Sequence, residues 1–183
     1  MYKNLFSCKN KIVIVVGGAG LIGSEIVKGL SDFGAKVYIA DADKKAAKKI
    51  KAKGIQFVYL DITSEDSINK ALGKVYKKAK KIDVLINCAY PRTSDWCLKL
   101  EDVPFDSWKD NVNNHLGGYF LCSKVAADLM KNKAKGVIIN FASIYGVVAP
   151  DFSIYKGTHM TMPVAYSAIK GGIIAFTKYM ATY

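Results

Sequence analysis

The chain has 183 residues, 51% of them hydrophobic, and a formal net charge of +12 from 27 basic and 15 acidic side chains. That length suffices for one domain with a real core, and no apolar run reaches the length of a membrane span. The positive charge raises nucleic acid as a partner, but Arg92 is the one arginine, and base reading leans on arginine forks.

The predicted elements alternate. KIVIVVG (residues 11–17) reads as a buried strand and GLIGSEIVKGLSDFG as a helix closed by Gly34. KVYIAD (36–41) is a second strand, followed by a Lys/Ala-rich helix ending near Gly54. IQFVYLD (55–61) is a third, after which Ser64 caps a helix with Asp66 and Ser67 in its first turn, running toward Lys81. KIDVLINCAY (81–90) is a fourth. PRTSDWCLKLEDVP then leads irregularly into a long helix over about 105–131. GVIINFAS (136–143) is a fifth strand, and a last helix runs from about Val164 to the end. Alternation of this kind predicts an α/β fold, a doubly wound parallel sheet with helices on both faces. With no linker, repeat or low-complexity segment, residues 1–183 form a single domain.

Cys8, Cys88, Cys97 and Cys122 make no CxxC pair, and His115 and His159 add no ligand spacing, so no metal site is expected. MYKNLFSCKNK has no apolar stretch before a cleavage site, so no secretion signal is read. Scattered thiols fit a reducing compartment. A soluble cytoplasmic protein is the expectation. Lysines spread along helix faces argue against nucleic acid, though a basic mouth attracting a phosphorylated substrate stays open.

GGAGLIG places Gly17, Gly20 and Gly23 between the first strand and its helix. Glycine allows the tight turn and lets backbone amides approach a pyrophosphate at the helix N-terminus. The second strand ends in Asp41, 18 residues after Gly23. A carboxylate there accepts both ribose hydroxyls of an adenosine and repels a 2′-phosphate, favouring NAD over NADP; Asp41 as a plain turn residue is the structural alternative. Asp61 closes the third strand and Asn87 with Ala89 the fourth, on the rim where open sheets bind ligands.

Ser143 ends the fifth strand on the same rim, and AYSAIKGG puts Tyr166 and Lys170 one helical turn apart on one face. A free phenol, with a pKa of roughly 10, is a poor base near neutrality; a neighbouring cation favours its charged form. A serine hydroxyl can fix the substrate oxygen by a hydrogen bond.

In these motifs the sequence resembles the short-chain dehydrogenase/reductase family over nearly its whole length. The resemblance rests on the glycine loop, Asp41, Asp61-Ile62, Asn87-Cys88-Ala89, Ser143 and YSAIK. It implies a Rossmann-like fold and hydride transfer between a nicotinamide and a carbinol or carbonyl carbon, with Ser143, Tyr166 and Lys170 catalytic. It also implies cofactor contacts from Gly17, Gly20, Leu21, Ile22, Gly23, Asp41, Asp61, Ile62, Asn87, Ala89, Tyr166 and Lys170. The family's proton relay includes an asparagine of the long helix. In NVNNHLGGYFLCSK, aligning on Gly117 selects Asn114 and aligning on Gly118 and Phe120 selects His115; Asn114 is favoured. A homodimer or homotetramer through the helices after the fourth and fifth strands is implied as well.

Three features depart from the pattern. Val16 stands where threonine is usual, and GAGLIG resembles the extended, sugar-nucleotide-modifying branch. Ser143 and Tyr166 lie 23 residues apart, so the segment between them forms an extended loop at the substrate site. That loop and the last helix are similar to oxidoreductases of flagellin modification and surface-polysaccharide synthesis, which suggests a small-molecule substrate such as a sugar or sugar phosphate. The family continues past Tyr183 with further strands, so this polypeptide alone is expected to bind cofactor poorly and turn over little. A nucleotide-sugar epimerase or dehydratase is the alternative enzyme, and a non-catalytic remnant the alternative to both.

Overall fold

Five β-branched runs form the sheet of the computed structural model, which describes residues 5–131 and 135–183. They are β1 (Ile12–Val16), β2 (Lys36–Asp41), β3 (Ile55–Tyr59), β4 (Val84–Asn87) and β5 (Val137–Asn140), all parallel in the order β3-β2-β1-β4-β5. Residues 1–4, part of the stretch read for a secretion signal, lie outside the described residues. Parallel strands need covering on both faces, and β1 shows it: all five of its residues are buried. Period two sends Val13 and Val15 to one face, with Val37, Ile39 and Ile86, beneath α1 (Leu21–Asp32) and α2 (Lys44–Lys49). Ile12, Ile14 and Val16 go to the other face. There they pack with Ile68 and Leu72 of α3 (Glu65–Ala79), Tyr119 and Cys122 of α5 (Gly118–Lys131), and Ile169 and Ile173 of α6 (Val164–Thr182).

The strand order turns back between β1 and β4. Such a switch point opens a crevice beyond the carboxyl ends of the strands, and it puts the glycine turn after β1 beside the end of β4.

Local chemistry sets the helix ends. Ser64 caps α3 as the sequence suggests, its hydroxyl oxygen accepting from Ser67 N–H at 3.2 Å. Asp43 caps α2 through Ala46 N–H at 2.9 Å. The predicted run of α2 toward Gly54 is cut short at Lys49, because Ile50 turns into the core.

The long helix predicted over 105–131 is not continuous. It consists of α4 (Phe105–Val112), a π-helical turn (Asn113–Gly117) and α5. A π turn carries one extra residue and re-phases the helix beyond it. The long loop before α6 holds two short 3-10 turns, Ile144–Gly146 and Phe152–Tyr155. Among the described residues β5 pairs only with β4. No helix among the described residues is long and apolar enough to cross a membrane.

Candidate active site

A cavity of about 850 Å³ opens at the carboxyl ends of the strands, above the switch point. That is within the size range of small-molecule and cofactor sites. Its floor at β1 is the glycine turn. Gly17 has φ +77°, in the left-handed region, and any Cβ there would sit 2.5 Å from the Ala89 backbone. A Cβ on Gly23 would strike the carbonyl oxygen of Gly17. Helix α1 starts at Gly20 with no side-chain cap and no acid in its first turn. Its free N–H groups therefore face the cavity side without an internal anion, a ready site for phosphate. The residues present thus fit a dinucleotide pyrophosphate. Gly23→Ala should destabilise the fold by about 1–3 kcal/mol through overpacking. That corresponds to roughly 2–12 °C in melting temperature for a chain this size, read by thermal denaturation; an unchanged melting temperature would remove the close packing of this turn from the account.

The sequence-predicted contacts fall into three groups. Gly17, Gly20, Leu21, Ile22, Gly23, Asp41, Asp61, Ile62, Ala89, Tyr166 and Lys170 are all brought to the wall of this cavity. Leu21 and Ile22 remain 89% and 55% exposed at its mouth. The Asp41 carboxylate holds the glycine turn: Oδ2 accepts from Ala19 N–H and Oδ1 from Asp43 N–H, both at 2.9 Å. Asp61 in turn accepts from the backbone and hydroxyl of Thr63.

Asn87 departs from the expected cavity wall, and Ser143 lies one residue beyond its lining. Asn87 lies behind the rim, wholly buried, and its amide nitrogen donates to Ser123 Oγ at 3.2 Å and Asn140 Oδ1 at 2.9 Å. Cys88 and Ala89 form the wall in its place, because strand alternation turns Asn87 toward α5. Ser143 is the residue after Phe141 and Ala142, which do line the cavity; it is itself outside the lining. Its hydroxyl oxygen accepts from Tyr145 N–H at 3.2 Å, leaving its own proton free to donate.

The choice between Asn114 and His115 is corrected by the π turn. His115 is fully buried and its Nε2 lies 3.4 Å from Lys170 Nζ. Asn114 is half-buried and makes no described contact with Lys170. An ammonium can only donate, so Nε2 accepts and the ring proton sits on Nδ1, which has no partner among the described residues. Burial first, and the Lys170 charge second, push His115 down to about 3, so the ring is neutral.

Lys170 is 4% exposed, and Nζ also donates to the Phe141 carbonyl at 2.7 Å. Its nitrogen lies 5.6 Å from the centroid of the Tyr166 ring. Burial lowers the ammonium to about 8. The phenol ring of Tyr166 is framed edge-on by Tyr90 at 5.8 Å and Trp96 at 6.4 Å. This aromatic frame was not foreseen from the sequence. Its one local signal is the position of Tyr90 at the end of the predicted fourth strand. Among the described residues no group of His, Cys, Asp and Glu is arranged to hold a metal ion.

A family model described as short chain dehydrogenase matches residues 11–182. The post-translational flagellin modification protein A of Campylobacter coli is 34% identical over 173 residues, covering 90% of this chain and 68% of that protein. The NAD-dependent glycerol dehydrogenase of Listeria innocua is 30% identical over 179 residues, covering 96% and 65%. A crystal structure of a short chain dehydrogenase from Leptospira borgpetersenii with bound NAD+ superposes with a TM-score of 0.83 at 33% identity, covering all of this chain and 68% of that one. The chain thus spans about two thirds of the length of these relatives.

Proposed function

The chain belongs to the short-chain dehydrogenase family, and from that premise we propose that the protein moves a hydride between NAD and a hydroxyl or carbonyl carbon of a small molecule, a sugar or sugar phosphate of surface-glycan synthesis. The observation that carries this reading is the meeting, in one cavity, of the Tyr166–Lys170 pair with an uncapped glycine turn.

When bound, the nicotinamide supplies the hydride acceptor or donor. Every other task falls to this protein's own residues. The glycine turn and the first N–H groups of α1 hold the pyrophosphate, while Leu21, Ile22, Ile62 and Ala89 provide apolar walls. Asp41 accepts from the ribose hydroxyls with the lone pairs its two loop contacts leave free. Tyr166 takes the hydroxyl proton of the substrate, or returns it to the carbonyl oxygen. The Lys170 ammonium beside the ring favours negative charge on the phenol oxygen, and from the same cavity wall it would hold the ribose of a bound cofactor. His115 and the Phe141 carbonyl fix where Nζ points. The free Ser143 proton donates to the substrate oxygen. NAD is preferred over NADP because a 2′-phosphate would face the Asp41 carboxylate.

A homodimer or homotetramer through α4–α5 and α6 belongs to the same proposal. It is supported by Phe120 on α5, 45% exposed, meeting Phe176 on α6 at 5.8 Å across the two helices.

Titration with NADH and NADPH, followed by cofactor fluorescence, tests the cofactor half. NADH should bind by millimolar concentration, and more tightly than NADPH. Asp41→Asn removes the charge and turns one of the two acceptors into a donor, weakening both the ribose contact and the loop clasp. NADH should therefore weaken by about tenfold or more, and the gap to NADPH should close. No binding of either nucleotide would end the oxidoreductase reading.

A further inference from the structure

Arg92, the one arginine of the chain, lines the same cavity as Tyr166 and Lys170. Its guanidinium stacks over the ring of Tyr90, with 5.6 Å from Cζ to the centroid. That ring in turn meets Tyr166 edge-on at 5.8 Å, Trp96 at 5.5 Å and His115 at 5.3 Å. The cation is thus one aromatic ring away from the proton-transfer group. The contact with the ring face holds the planar fork in place at little entropic cost and leaves the N–H donors around its own edge free to bond.

Among the described residues, Arg92 has no ion pair and no hydrogen-bond acceptor. The acid that follows closest in sequence, Asp95, accepts instead from Ser107 Oγ at 2.8 Å. The cavity is electrically divided. Its carboxylates, Asp41 and Asp61, stand at the ends of β2 and β3, and its cations, Arg92 and Lys170, stand at the other end, beyond β4 and β5. Lys170 is buried and already donates to Phe141. Arg92 is the exposed cation with its donors unused.

We propose that Arg92, braced on Tyr90, is an oxyanion-binding subsite, and that the substrate is a hydroxyl or carbonyl compound carrying a phosphate or carboxylate group. The fork donates to two oxygens of that group side by side, and in doing so presents the reacting oxygen to Tyr166. This deepens the hydride-transfer reading and rests on it.

The test uses the NAD-saturated protein, so that the pyrophosphate site is filled, at constant ionic strength to hold screening fixed. Inorganic phosphate and acetate are titrated separately by calorimetry into the wild type, Arg92→Ala and Arg92→Lys. The wild-type complex should bind at least one of the two, and Arg92→Ala should weaken that binding by about tenfold or more, the scale of a charge-assisted bidentate contact. Arg92→Lys should fall between them, since it keeps the charge and loses the fork. Uptake of phosphate alone marks a phosphate ester, and uptake of acetate alone or of both admits a carboxylate. Arg92 is exposed, so an unchanged melting temperature of Arg92→Ala certifies its fold. Equal affinities in wild type and Arg92→Ala, or no anion binding to the NAD complex, overturn the subsite while leaving the hydride-transfer reading intact. Failure of NAD itself to bind takes down both.

Discussion

Tyr166→Phe should lower turnover by about 10²–10⁴, the range a positioned acid–base group contributes, while NADH affinity and melting temperature stay at wild-type values. The phenylalanine ring keeps the edge contacts to Tyr90 and Trp96, and the Lys170 nitrogen keeps a ring face beside it. The change removes one oxygen, and no hydrogen bond of that oxygen to the described residues is lost. A loss confined to kcat therefore isolates proton transfer. Steady-state kinetics beside an NADH titration read both quantities, and full turnover in the variant would take Tyr166 out of the chemistry.

Lys170→Met should abolish turnover to a similar degree and change how stability depends on pH. Burial holds the Lys170 ammonium at about 8 in the folded chain against 10.5 when free. The unfolded state therefore binds more protons between those values, so stability gains as pH rises from about 8 to 10.5. Below about 8 both states are charged, and the full penalty of the buried ammonium is present. Methionine keeps the length without the charge. The variant should lack the Lys170 part of the rise between pH 8 and 10.5. The Phe141 carbonyl and the buried His115 Nε2 both lose their donor. The carbonyl lines the cavity, where water can serve it, whereas the unpaired imidazole costs about 1–3 kcal/mol and offsets the relief of the buried charge at pH 7. Parallel pH dependence of the melting temperature in the two proteins would mean that Lys170 is not the buried cation described above.

Most of the architecture was legible because parallel strands buried on both faces read as unbroken apolar runs. Their positions were found to within a few residues, and the errors are informative. KIDVLINCAY reads as one long strand, yet only Val84–Asn87 stays in the ladder. Cys88 to Tyr90 leave it to form the cavity wall. Residue type fixes the rim position of Asn87 but not its side, and the side was decided by Ser123 and Asn140, distant in sequence.

The long helix shows a different limit. Periodicity assumes 3.6 residues per turn, and a π turn slips the phase by one residue. That slip lies in Asn113–Gly117, the stretch where two alignments gave neighbouring answers, and it delivers His115 rather than Asn114 to the lysine. The aromatic frame around Tyr166 was hidden for a plainer reason: Tyr90 and Trp96 come from the loop after β4, and Tyr166 from α6, some 70 residues on. No local pattern joins them.

The two oxygens of Asp41 latch the turn after β1 through Ala19 and also stiffen the start of the next loop through Asp43. Whoever re-engineers this pocket for a phosphorylated ribose by deleting that carboxylate would also unfasten the phosphate cradle. A successful redesign must first install a substitute clasp for the Ala19 amide, so nucleotide choice and loop rigidity have to be changed together.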